Sequence, residues 1–401
     1  MPNLSQIQKG RLTYLTIFIA LVFVFEYVTR DFIWNLSIQI IPWMQTNLKF
    51  MIPFEHFLSF FGTERVMIII MFIFYNFLNI YKTFILIVVI SIANFLTGFL
   101  KMTYAQYRPY WVSEIILPYQ CEAGWANPSG HSLCSMAFYL SMWKLIFYEN
   151  EKELKTNSDK RYLFLSLIIF VIILICIGRL LLGVHGINQI ILGCSLGFSI
   201  YYFIFFILML NPDNPYQLFN FVSSDLGNFF LAHLGIFFAY SLLYYTLRRL
   251  NPNKIIFNDI VDLKGCGDIG TAKRFENDAY LNCTLIHLYL IAVIGIWVEY
   301  TYILNSNLKK WIEYNFGFHK HDENQRLLRK NYDTQWNHTD DFGTTSKRTL
   351  LTIIYFFIMM IPFFMISYNA NMMIVVLFKI FLPSLVSIFL LFSYFKVFLN
   401  I

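Results

Sequence analysis

Residues 162–208 read YLFLSLIIFVIILICIGRLLLGVHGINQIILGCSLGFSIYYFIFFIL, and this stretch decides the fold. Two apolar runs, 162–178 and 186–208, each approach the ~20 residues that carry an α-helix across a bilayer. Between them stand Arg179 and His185, which hydrocarbon excludes unless they face a protein interior or a water-filled cavity. The rest of the chain repeats the pattern. Of 401 residues, 58% are hydrophobic, 19% aromatic and only 13% charged, against about 25% charged in soluble domains. Mean hydropathy is +0.56. Such a composition excludes a disordered chain, a coiled coil and a nucleic-acid module. The expected class is all-α: a polytopic transmembrane helix bundle of about nine or ten spans, in contact with membrane lipid and with no nucleic-acid partner.

Working outward, further spans are expected at 13–28, 64–81, 83–101, 132–148, 229–247, 278–303, 349–367 and 372–396. The first is read as a retained helix, because no small-residue cleavage site precedes Glu26. Pro362 and Pro383 are expected to kink the last two. Residues 30–63, with Trp34, Pro42 and Trp43, are expected to form an interfacial loop with amphipathic pieces. The chain divides into an N-terminal span and loop (1–63), a core (64–210) and C-terminal spans (211–401) with a polar insert at 304–348. The net charge of +6 gathers in part in loops 149–161 and 304–348, which places these and the N-terminus in the cytosol by the positive-inside rule. Loop 102–131, the Arg179–His185 region and loop 249–277 then share the opposite face, although the basic residues of 249–277 vote the other way. Six cysteines show no CxxC spacing and predict no zinc site. Cys121 and Cys266 fall on that opposite face, where they can pair.

Three short polar stretches meet on the same face: Lys101 through Arg108-Pro109-Tyr110-Trp111, then Asn127-Pro128-Ser129-Gly130-His131, then Arg179 through His185. Lys101 and Arg108, seven apart, are expected two turns apart on one helix face, with Pro109 ending that helix. Pro128-Ser129-Gly130 reads as a turn into an apolar helix, whose first N–H groups attract anions. Lys101, Arg108 and Arg179 supply three cations with no acidic cluster in the motifs to match them; Glu114 and Glu122 are the nearest carboxylates. Together these features predict a phosphate-ester ligand. Two histidines complete the set, one to attack phosphorus and one to protonate the departing oxygen. Singly, Lys101, Arg108 and Arg179 also read as membrane anchors or interface residues, His131 as a helix-cap residue and His185 as a loop histidine. Their ordered spacing favours the joint reading.

This set resembles the type 2 phosphatidic acid phosphatase superfamily, whose pattern is Lys, six residues, Arg-Pro; then Pro-Ser-Gly-His; then Ser-Arg, five residues, His, three residues, Asp. Here Gly178 stands in place of Ser and Gln189 in place of Asp. Arg108 to Trp111, the Cys121-Glu122-Ala123-Gly124 run and Gln189 are similar to the glucose-6-phosphatase catalytic subunits within that superfamily. The resemblance covers about residues 64–210; the N-terminal span and the 304–348 insert look extra. It implies a phosphatase helical core and phosphate-monoester hydrolysis through a phosphohistidine, most simply glucose-6-phosphate to glucose and inorganic phosphate. His185 is the implied nucleophile and His131 the acid and base. Lys101, Arg108, Arg179, Ser129 and Gly130 hold phosphate, and Gln189 orients His185. No metal or other cofactor is implied. A sugar-phosphate transporter partner and residence in the endoplasmic reticulum membrane with a lumenal site also follow from the resemblance, although residues 396–401 lack the family's lysine-based retrieval signal. Two other functions fit the same residues: a lipid-phosphate or polyprenyl-diphosphate phosphatase, and a phosphate-ester transporter or silent scaffold. Retention of both histidines argues against the last.

Outside the motifs, Asn35-Leu36-Ser37 and Asn337-His338-Thr339 are glycosylation sequons. His319-Lys320-His321 with His338 reads as a solvated loop, since no ligand spacing supports a metal site. His287 and Glu299, ionisable and within a predicted span, are functional candidates without a role.

Overall fold

The computed structural model describes residues 6–74, 80–122, 124–147, 158–208 and 350. The spans expected from 229 onward, the 304–348 insert, His287, Glu299, the Asn337 sequon and the histidines at 319, 321 and 338 lie outside the described residues, Leu350 excepted. The described residues are all-helical. In chain order they form α1 (Gln6–Asn47), a 3-10 turn (Lys49–Met51), α2 (Ile52–Phe61), α3 (Glu64–Ile73), α4 (Ile80–Tyr104), α5 (Pro109–Val112), α6 (Gly130–Ile146), α7 (Ser158–Leu181), α8 (Ile187–Tyr202) and a π-helical turn (Phe203–Ile207).

Four helical stretches among them are long and apolar enough to cross a membrane: Gln6–Asn47, Lys82–Val112, Lys160–Leu181 and Ile187–Ile207. A fifth forms if Lys49–Phe61 and Glu64–Ile73, bent by 51°, act as one span.

The interfacial loop expected at 30–63 is instead helix. The residues α1 buries include Glu26, Ile33, Ser37, Ile41, Met44 and Gln45, a stripe at three-, four- and seven-residue steps that only a helix places on one face. Pro42 lies inside the helix. At ~1.5 Å per residue α1 is about 63 Å long, roughly twice the ~30 Å hydrocarbon layer, so the tryptophans that suggested an interface sit on a helix that continues past it. The Asn35 sequon lies within this helix. Ser37 is buried, and its hydroxyl donates to Ile33 O at 2.7 Å, so the segment is not the accessible surface loop expected of an acceptor.

Helices α6 and α8 pack at the centre, against α4 and α7. Leu133, Ala137 and Phe138 of α6 meet Leu192, Leu196 and Ile200 of α8 in one buried cluster with Ile85, Val89 and Ala93 of α4. Gly193 and Gly197, four apart, permit the close approach. A Cβ on Gly193 would stand 2.7 Å from Ser129 O, and one on Gly197 2.8 Å from Met136 Cβ. Small residues at this spacing let helix backbones approach in membranes, and here they set the start of α6 against α8.

Candidate active site

The three polar stretches converge where α4, α6 and α7 end or begin. Lys101 lies in the last turn of α4. Arg108 does not share its helix. The α4 helix stops at Tyr104, Ala105 takes φ 43°, and Arg108 is the extended N-cap of α5. Pro109 therefore opens a helix instead of ending one, at a position where its missing N–H costs little.

Arg108 and Arg179 are both fully buried. Arg108 donates through Nε to Gly124 O at 3.0 Å and through a terminal nitrogen to Val184 O at 3.1 Å. Arg179 donates to Ser59 Oγ at 2.7 Å and Gln120 Oε1 at 3.0 Å. The expectation of cations without matching acid is wrong: Glu122 bridges both. One of its oxygens lies 3.0 Å from Arg108 and the other pairs closely with Arg179. Burying a charge without a partner costs several kcal/mol, so two inward-facing guanidiniums require an anion, and in this structure the chain supplies it.

Tyr110 holds the Glu122 backbone in place. Its hydroxyl donates to Glu122 O at 3.2 Å and accepts from Glu122 N at 3.3 Å. With the bond from Arg108 to Gly124 O, this knits Arg108 to Trp111 and Cys121 to Gly124 into one unit. Burial opposes the charged form of Glu122, but Arg179 and Arg108 win and hold its carboxyl well below the usual carboxylate range.

His185, 1% exposed, has its Nε2 3.4 Å from an Arg108 nitrogen and 3.9 Å from the Glu122 carboxylate. A guanidinium only donates. Nε2 is therefore the acceptor, and the ring proton sits on Nδ1, 3.2 Å from Gln189 Oε1. The Gln189 amide is fixed by two further bonds: Oε1 accepts from Gly186 N at 3.0 Å, and Nε2 donates to Tyr107 O at 3.1 Å. Burial, then Arg108 and Arg179, push the His185 imidazole well below its ordinary 6.5, so it carries a lone pair on the nitrogen that faces the arginines.

His131 follows Gly130, the first residue of α6. Its Nε2 is buried with no hydrogen-bond partner among the described residues. A Cβ on Gly62, in the α2–α3 turn, would stand 2.7 Å from His131 Cδ2, so that glycine sets how far the ring can lie back. Lys101 Nζ reaches within 4.0 Å of the point where a Gly130 Cβ would stand. Ser129 caps α6, accepting from Ser132 N at 3.4 Å. Its own N–H donates to Gln189 O at 3.0 Å. The expected anion donor at Ser129 N is thus already used, which leaves the Gly130 N–H and the Ser129 hydroxyl.

Gly178 has a structural cause. A Cβ there would land on the carboxylate of Glu55, itself buried on α2 with no hydrogen-bond partner for either oxygen among the described residues. The serine of the superfamily pattern does not fit unless Glu55 moves. Sequence reasoning missed Glu55, Ser59, Gly62 and Gln120, because the first three fall in 30–63, read as an interfacial loop, and Gln120 falls in loop 102–131 outside the motifs. Cys121 is disulfide-bonded; Cys266, the partner expected for it, lies outside the described residues. Among the described residues, no group of three His, Cys, Asp or Glu is arranged to hold a metal ion.

Residues 82–213 match the family model of the PAP2 superfamily. No curated protein sequence matches the chain. The crystal structure of a transmembrane PAP2-type phosphatidylglycerolphosphate phosphatase from Bacillus subtilis is similar over 50% of this chain and 94% of that one, at 18% sequence identity and a TM-score of 0.36. The family match takes in α4 to α8, with both histidines and all three cations, and supports a membrane phosphatase.

Proposed function

We propose that this protein is a membrane phosphohydrolase that cleaves a phosphate monoester through a phosphohistidine, with glucose-6-phosphate as its preferred substrate. One observation carries the reading: His185 Nε2, Arg108 and Arg179 all converge on one carboxylate. Two oxygens held by two guanidiniums, with a neutral imidazole nitrogen alongside, is the arrangement that a phosphoryl group needs for attack at phosphorus.

In the proposed reaction the substrate phosphate displaces Glu122 from the arginines. Lys101, the Gly130 N–H and the Ser129 hydroxyl bind its remaining oxygens and offset charge in the transition state. His185 Nε2 attacks phosphorus as the ester P–O bond breaks, and His131 gives its proton to the leaving alkoxide. Water then attacks the phosphohistidine, His131 takes the water proton, and the P–N bond breaks to release phosphate. Gln189 accepts from Nδ1–H and keeps the attacking lone pair on Nε2.

The sugar assignment rests on the resemblance of Arg108 to Trp111, Cys121 to Gly124 and Gln189 to the glucose-6-phosphatase catalytic subunits. In this proposal the displaced Glu122 carboxylate, whose backbone is bonded by the Tyr110 hydroxyl, accepts sugar hydroxyls. Residence in the endoplasmic reticulum with a lumenal site, and a sugar-phosphate transporter partner, extend the same reading.

The test is phosphate release by purified protein offered glucose-6-phosphate, a lysolipid phosphate and a polyprenyl diphosphate side by side, with His185→Ala as control. Preference for glucose-6-phosphate, lost in the variant, is expected. Release from the lipids alone keeps the chemistry and overturns the substrate. Binding of all three without release overturns the enzyme.

A further inference from the structure

Helix α1, which the superfamily pattern does not include, braces the α5–α6 loop and the α7–α8 turn, which carry the second and third motifs. Three polar residues lie on its buried stripe, and each bonds one or both of these segments. Gln45 accepts from Leu117 N at 2.9 Å and donates to Leu117 O at 2.8 Å and Leu181 O at 3.1 Å. Ser37 Oγ accepts from Ile187 N at 2.9 Å, two residues beyond His185. Glu26 accepts from Asn127 Nδ2 at 3.0 Å, and Asn127 opens the stretch that ends in His131.

Glu26 makes the costliest of these contacts. It is 4% exposed, midway along a helix long and apolar enough to cross a membrane, where a carboxylate is expensive and marks function by default. Arg30 holds it with two bonds, at 2.8 and 2.6 Å. The Arg30 guanidinium also lies 4.8 Å from the ring centroid of Tyr104, the last residue of α4 and three positions beyond Lys101. Charge neutrality alone needs only Arg30, whose side chain is 32% exposed. Glu26 nonetheless turns inward to Asn127, which is fully buried.

We propose that Glu26 is a positioning residue. Through Asn127 it sets the loop that presents Ser129, Gly130 and His131, and through Arg30 and Tyr104 it ties that loop to the Lys101 end of α4. The kinetic part of this proposal rests on the phosphatase reading; the structural part does not.

The experiment uses the full chain with Glu26→Ala, Asn127→Ala, the double variant and Glu26→Gln, which keeps an acceptor for Asn127. Phosphate release from glucose-6-phosphate and hydrogen exchange over residues 127–133 are both measured. In Glu26→Ala and Asn127→Ala, kcat is expected to fall about ten- to a hundredfold with KM little changed, and exchange over 127–133 to rise. The double variant is expected to be no worse than either single one, and Glu26→Gln to recover most of both readouts. Unchanged exchange over 190–200 of α8 marks a folded protein; if Glu26→Ala fails this check, Asn127→Ala decides. Exchange at 127–133 unaltered in the Ala variants overturns the proposal, as does a Glu26→Gln variant as impaired as Glu26→Ala. A wild-type protein that releases no phosphate from any ester overturns the phosphatase reading, and the exchange result alone then decides the role of Glu26.

Discussion

Arg108 and Arg179 are buried with Glu122 as their counter-charge, so a phosphate must compete with a carboxylate already seated. Glu122→Gln removes the competitor and leaves the arginines short of an anion. The vanadate inhibition constant is expected to fall about tenfold, or about 1.4 kcal/mol, and the protein to melt lower without vanadate but recover with it. An unchanged or higher constant contradicts that role for Glu122. His185 gives a pH prediction. Its imidazole sits well below 6.5 because of burial and the two arginines. It therefore stays neutral as pH falls through the range where a solvated histidine gains its proton, and phosphoenzyme formation, followed by single turnover, should show no loss of nucleophile near 6.5. The sign for stability is the reverse. The unfolded chain binds protons there that the folded one refuses, so the fold weakens as pH drops below about 6.5. A histidine NMR titration that assigns His185 an ordinary value contradicts both statements. At this scale the sequence was legible where spacing carries chemistry, as at Arg108, His131, Arg179 and His185. It was silent on the pairing of Glu122, which spans 57 positions to Arg179 and depends on how Tyr110 folds the loop that leads to Glu122.

Helix packing decides how His131 is aimed. The α2–α3 turn brings Gly62 against its ring, and any side chain there must push the imidazole or the turn. Gly62→Ala is expected to lower kcat about tenfold or more, with a melting temperature close to wild type. An unimpaired variant would mean that the ring has room to spare. Gly193 and Gly197 act on the same geometry from α8. Enlarging Gly197 to Leu drives it into Leu133 and Met136, and overpacking of this kind costs about 1–3 kcal/mol. A thermal melt in detergent checks this, and a variant as stable as wild type contradicts close packing as the role of that glycine. The long apolar helices were legible because hydropathy over ~20 residues is a strong signal. Helix α1 beyond residue 28 was not, because Pro42 and the two tryptophans imitate a membrane interface while Glu26, Ser37 and Gln45 interrupt the apolar stripe with groups whose partners are far away in sequence. The break between Lys101 and Arg108 was equally hidden: seven residues suit two helical turns, and nothing local announces that Ala105 leaves the helix.

For the molecule as a whole, the four helical stretches able to cross a membrane among the described residues and the match of residues 82–213 to the PAP2 superfamily support a membrane phosphatase. The positive-inside reading of loop 149–161 predicts a site on the side away from the cytosol. A single cysteine replacing exposed Lys160 should react with an impermeant maleimide only from the cytosol, and one replacing exposed Ile115 only from the other side. The reverse pattern would turn the site to the cytosol. The most direct test of the chemistry is to trap the intermediate. Protein mixed with glucose-6-phosphate labelled at phosphorus, and quenched in alkali within one turnover, should carry an alkali-stable, acid-labile label on the peptide that contains His185, and none in His185→Ala. No label, or a label that survives in His185→Ala, would contradict a phosphohistidine at this position.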